Sequence, residues 1–221
     1  MHDDPITERV NAALATVPGV AALVLGGSRG RGTATQGSDH DFGLYYEPER
    51  PVDIAALEAA VRPLLDDPAR CTITPIGEWG PWINGGGWLS VAGHKVDLLY
   101  RDLSRVRAVI DDCKAGRITM HYQPGHPHGF CSSIYAGEIA TCRPLSDPQE
   151  VVSRMKADVL PFPAPLKQAI IGKFLWEVQF AIDNAALAIR RGEQTCGRLR
   201  VPGALLHGPG VVRTQWPLPH Q

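Results

Sequence analysis

The chain has 221 residues, of which 44% are hydrophobic, with 22 Lys plus Arg against 23 Asp plus Glu. That length suits one ordinary domain or two small ones, and that apolar share excludes wholesale disorder. A formal net charge of −1 excludes a chain that grips nucleic acid through bulk charge, and no run reaches the roughly 20 apolar residues of a membrane span.

The N-terminal MHDDPITERV is acidic and polar, unlike a secretory signal. Five cysteines are spread along the chain with no CxxC pair, which points to reduced thiols and a cytoplasmic location. Residues 6–15 place Ile6, Val10, Ala13 and Leu14 on one side of an amphipathic helix. Residues 20–25 form a short apolar run ending at Gly26 and Gly27, the pattern of a buried strand entering a tight turn. A second strand is expected over 41–46, and Asp53 caps a helix running to about Leu65. Residues 71–76 alternate like a strand. The runs 88–91 and 95–100 flank Gly93 as a hairpin. A helix is expected over 103–114.

From His121 to Pro148 the chain reads as loop-rich, with four prolines. Beyond it, Ile171, Phe174, Leu175, Val178, Ile182, Ala185 and Ile189 recur at spacings of three and four, the strongest helical stripe in the chain. Together these elements predict an α/β (α+β) fold: a mixed sheet flanked by helices, then a helical C-terminal region. The expected divisions are 1–115 for the sheet domain, 116–192 for the loop-rich and helical region, and 193–221 for an irregular tail.

The informative stretch is LGGSRGRGTATQGSDHDFGLYY, residues 25–46. Glycines after a strand allow close backbone approach, and successive amides in such a turn can cradle phosphate. Ser28 adds a hydroxyl there, and Arg29 and Arg31 add charge. Asp39 and Asp41 are two residues apart at a strand start, so both carboxylates share a face. A divalent cation is a natural partner for that pair; an Asx turn with a solvated edge charge is the plainer reading. Asp97 interrupts the apolar run Val96–Tyr100 as a third acid. It is either a strand-edge charge or the last member of a cluster able to hold two metal ions about 4 Å apart. His40, between the aspartates, is expected on the opposite face. Among other candidates, His121, His126 and His128 match no compact zinc spacing. Glu138 is either a supporting base or a solvated acid, and Trp79, Trp82 and Trp88 either stack on a ligand ring or pack.

Gly27-Ser28, about ten residues, then Asp39-His40-Asp41 in a strand resembles the signature of the nucleotidyltransferase superfamily that includes DNA polymerase β. The local wording is similar to small bacterial members related to aminoglycoside and antitoxin-type nucleotidyltransferases. The resemblance implies a mixed-sheet catalytic domain and transfer of a nucleoside monophosphate from an NTP, with ATP the expected donor. It implies Mg²⁺, two ions during turnover, held by Asp39, Asp41 and Asp97, the last of which also activates an acceptor hydroxyl. It implies that Gly27, Ser28, Arg29 and Ser38 hold the nucleotide. The acceptor is a small molecule or a protein side chain; nucleic acid and membrane are not expected partners. The alternatives are an antitoxin-type protein that binds or modifies a partner protein, and an inactive truncated product.

The tail from Thr195 is rich in Gly, Pro, Arg and Leu without a period. It reads either as disordered or as the product of a shifted frame, because an adjacent frame written with GC-rich codons gives an apolar helical string. In the second case the final helices are missing and the long helix keeps an uncovered stripe, favouring self-association.

Overall fold

A computed structural model describes residues 4–126 and 128–190. The tail, with the shifted-frame reading that falls on it, lies outside the described residues. The described residues up to 170 form one compact unit, and those from 171 to 190 belong to a second.

In the first unit, α1 (Pro5–Leu14) starts on Asp4, whose carboxylate accepts from the amides of Ile6 and Thr7, with Pro5 in the first turn. It buries Thr7, Val10 and Leu14. The fully buried strand β1 (Ala22–Leu25) runs into a single turn, α2 (Gly27–Gly30). Then come β2 (His40–Tyr46), α3 (Ile54–Val61) continuing as a 3-10 turn, β3 (Gly86–Val91), β4 (His94–Asp102) and α4 (Leu103–Lys114). Asp53 and Asp102 cap α3 and α4 by accepting backbone N–H bonds. A short hairpin, β5 (Met120–His121) with β6 (Phe130–Cys131), precedes α5 (Ser133–Thr141), β7 (Arg143–Ser146) and α6 (Val151–Val159). The last helix, α7 (Ala164–Arg190), begins in the first unit.

The sheet order is β3-β4-β2-β1-β7. Only β2 and β4 run parallel; the other neighbours are antiparallel. The architecture is therefore a mixed α+β sheet, as the sequence predicts. One face packs on α1 and α3 through Leu23, Phe42, Leu44, Val96, Leu98 and Tyr100. The other packs on α4, α5 and α6 through Val24, Tyr45, Leu103, Ile110, Tyr135 and Met155.

Two expectations are corrected. Residues 71–76 form no strand; Ile73 makes one isolated bridge to Gly87. Their alternation reflects Cys71, Ile73 and Ile76 packing on the core, while Pro75 lacks the N–H a ladder needs. Conversely, the region from His121 to Pro148 is not mainly loop: it holds α5 and the edge strand β7. Pro144 masks that strand in sequence, yet an edge position tolerates a proline.

In the second unit, the described helix exposes Ile171, Leu175, Trp176, Phe180, Ile182 and Leu187. No described helix is long and apolar enough to cross a membrane.

Candidate active site

Side chains alternate across a strand. On β2, Phe42 and Leu44 face the α1/α3 core, which turns Asp41 to the opposite face. On β4, Val96 and Leu98 do the same for Asp97. Asp41 and Asp97 are direct register partners, so their backbones lie one strand spacing apart, about 4.8 Å. Asp39 stands exposed just before β2. The three acids therefore meet at one end of the sheet, on one side.

The glycine turn borders them. The N–H of Gly26 donates to the carbonyl of Asp41 at 2.7 Å. Gly27 has φ of 55°, and a Cβ there would lie 1.8 Å from Asp41 Oδ2. Only a residue without a side chain lets this carboxylate lie against the turn. Ser28 follows in α2, half-buried.

The electrostatics match the crowding. Burial, and then the charge of Asp39, raise the pKa of Asp41 against relief from Arg31, His40 and Arg29. Burial, then Asp41 and Asp39, push Asp97 up to about 6, with Lys95 pulling the other way. No hydrogen bond or ion pair from a described residue reaches either carboxylate. Half-buried acids normally find a donor; two adjacent ones without donors suit a divalent cation. Among the described residues no three Asp, Glu, His or Cys side chains close into a ready cage. A carboxylate pair still fits Mg²⁺, which takes one or two carboxylates and completes its shell with water and phosphate oxygens.

Arg29 and Ser38 hydrogen-bond within the acidic loop. Arg29 donates from Nη2 to the carbonyl of Ser38 at 3.0 Å and from Nε to that of Asp39 at 3.2 Å. Its Nη1 reaches Asp4 Oδ2 at 3.4 Å. The hydroxyl of Ser38 accepts from the Thr35 amide at 2.9 Å, within the same loop. His40 is buried on the far face, as alternation requires, with Nε2 on Asp4 Oδ1 at 2.9 Å. Burial pushes Asp4 upward, but hydrogen bonds from Thr7 and His40 outweigh it and hold its carboxyl well below the usual range. Asp4 thus ties α1 to both sides of the acidic loop. Arg31 is exposed and is the cation whose side chain is not spent on the loop's carbonyls.

Glu138 is paired rather than freely solvated. It accepts two hydrogen bonds, at 2.7 and 2.8 Å, from the buried Arg101. That pair lies on the same face as the acids, four residues further along the strand, where Arg101 is in register with Tyr45. Trp82 packs against His121 and Phe130, and its carbonyl accepts from the Tyr135 hydroxyl at 2.5 Å. Sequence reasoning missed Asp4 and Gln123 altogether; Gln123 is buried among backbone groups of the loop 79–83.

A glycine turn thus touches one of two in-register aspartates, beside a third acid. Residues 8–115 match the family model described as a nucleotidyltransferase domain. This part of the chain belongs to the nucleotidyltransferase superfamily, a class of transferases. Comparison with curated proteins gives no match.

Proposed function

We propose that the protein transfers a nucleoside monophosphate from an NTP, with ATP as the expected donor, to a hydroxyl of a small molecule or protein, releasing pyrophosphate. The observation that carries this reading is the in-register pair Asp41 and Asp97, with Asp41 lying against the Gly27 turn. Asp39, Asp41 and Asp97 would hold Mg²⁺, which when bound neutralises phosphate charge and polarises the reacting phosphoryl group. Gly27 and Ser28 offer backbone and hydroxyl donors to the β- and γ-phosphates, and Arg31 adds charge. Asp97 orients the acceptor hydroxyl. The acceptor oxygen forms a bond to the α-phosphorus, and the bond to pyrophosphate breaks with its electron pair. The hydroxyl proton passes to the Asp97 carboxylate and on to water. Most of the rate would come from alignment and charge neutralisation.

The test is incubation with each labelled NTP, Mg²⁺, and a panel of small-molecule alcohols and proteins, beside Asp41→Asn. Labelled product and pyrophosphate are expected from the wild type alone. Transfer surviving in Asp41→Asn defeats the ligand assignment.

In this reading Arg29 acts through the loop rather than on the phosphates. Asp4→Asn releases one anchor of Arg29 and one of His40. Mn²⁺ affinity, read by the loss of free Mn²⁺ signal in electron paramagnetic resonance, is expected to fall about 10-fold, the size of effect that supporting partners of metal ligands commonly have. Asp53→Ala, which strips the cap of α3, is expected to cost about 1 kcal/mol of stability and leave Mn²⁺ binding unchanged.

A further inference from the structure

The neighbour of Asp97 on the side away from Asp41 is Trp88, on the edge strand β3. Leu89 and Val91 point into the α1/α3 core, so Trp88 shares the face of the acids. It is 60% exposed. Edge strands usually carry charge or short polar residues that discourage association; a bare indole there is out of keeping with that rule.

The indole is also held. Trp79 stacks on it with ring centroids 4.3 Å apart and planes 17° from parallel. Trp79 sits on a loop pinned by the buried Gln123. That amide accepts from the N–H groups of Trp82 and Ile83, both at 3.0 Å, and donates to the carbonyl of Trp79 at 2.7 Å. On the strand itself, the Thr72 hydroxyl donates to the carbonyl of Trp88 at 2.5 Å. Two large aromatic side chains are thus fixed in a stack at the open edge of the acidic face.

Sheet order gives the stack a task. Reading across the sheet, the sequence of groups is Trp88, Asp97, Asp41 and then the Gly27 turn at the end of β1. In an in-line displacement the entering oxygen and the leaving group lie on opposite sides of the phosphorus. With pyrophosphate leaving over the glycine turn, the entering hydroxyl comes from the side of β4 and β3. We infer that Trp88, backed by Trp79, is the platform on which a ring of the acceptor lies while its hydroxyl reaches Asp97.

This rests on the transfer reading above and adds the class of acceptor: a ring-bearing alcohol or phenol. Directly opposed residues on antiparallel strands have Cβ atoms about 5 Å apart. A ring over the indole therefore brings to Asp97 a hydroxyl on the ring or one carbon from it. The face of a sugar or cyclitol and the face of a phenol share the flat, C–H- or π-rich surface that an indole accepts. Linear alcohols gain nothing from it.

The test reads binding, not turnover, so it stands apart from the transfer assay. The full chain is labelled with 5-fluorotryptophan, and its five fluorine signals are assigned by single Trp→Phe variants. Methyl β-glucoside, myo-inositol and N-acetyltyrosinamide are titrated as ring-bearing probes, with glycerol and N-acetylserinamide as ring-free ones. The Trp79 and Trp88 signals are expected to shift saturably with at least one ring-bearing probe, while Trp176 stays still and the ring-free probes move nothing. Which probe binds separates a sugar-like from a phenolic acceptor. Trp88→Leu is expected to weaken that probe at least about 10-fold, in line with the worth of one stacked ring, and Trp88→Phe to restore part of it. Asp41→Asn is expected to leave the shifts in place even where transfer is lost. Ring-bearing probes that leave Trp88 unmoved, or ring-free probes that move it equally, overturn the proposal.

Discussion

Asp97→Asn is expected to make the metal-free protein more stable at neutral pH and to reduce nucleotidyl transfer at least about 10³-fold, the loss of several kcal/mol of charge stabilisation. The two effects have one origin. Asp97 is a half-buried carboxylate pushed up to about 6 by burial and by Asp41 and Asp39. Its proton is bound more tightly in the folded than in the unfolded chain. Stability from this group is therefore fully present below about pH 4 and is lost as pH rises through about 6. The full linkage over that shift is about 3 kcal/mol, but the group is partly open to solvent, so about 1 kcal/mol is the realistic share. Neutralising it returns that share, which in a chain of this size is about 2–4 °C in the thermal midpoint. Mn²⁺ is expected to raise the midpoint of the wild type at pH 7, less so at pH 5, and not at all in Asp97→Asn. Calorimetry at both pH values checks the sign. A wild type whose metal-free midpoint is higher at pH 7 than at pH 5, with Asp97→Asn unchanged, contradicts the account.

The acids were legible in the sequence because each breaks a local rule. Asp97 stands in a run of core residues, and Asp39 and Asp41 repeat at strand period, so charge where apolar pattern is expected singled out the three acids that the fold brings together. The helix α1 was legible from the spacing of its apolar residues, and α3 from the cap at Asp53. What escaped is tertiary. The pairing of Glu138 with Arg101 joins α5 to β4 across 37 residues, and either residue alone reads as surface charge. The bonds of Asp4 and Arg29 are tertiary too: a cap carboxylate has an oxygen to spare for His40, and the guanidinium of Arg29 reaches the carbonyls of Ser38 and Asp39. Residues 71–76 show the converse: their side-chain alternation was real, but the backbone needed a hydrogen-bonding partner strand that sequence period does not reveal.

Gly27→Ala is expected to reduce transfer by 10²-fold or more, on the order of 3 kcal/mol, while the protein stays folded. Two costs meet at this position. The backbone angle of 55° is left-handed, which costs an L-residue about 1–2 kcal/mol. The added methyl also collides with Asp41 Oδ2, 1.8 Å away, and the less rigid partner gives way. The carboxylate must swing off the turn, and with it goes the register of Asp41 against Asp97 and against any phosphate above Gly27. Small displacements of a charge-positioning group are costly because alignment supplies most of the rate. Mn²⁺ affinity is therefore expected to fall along with transfer. Gly37→Ala is the matched control: it lies in the same loop, and a Cβ there meets nothing within 4 Å. It is expected to leave Mn²⁺ binding and transfer unchanged. Equal losses in the two variants would mean that the loop tolerates no substitution of any kind, and would remove the contact between Gly27 and Asp41 as the cause.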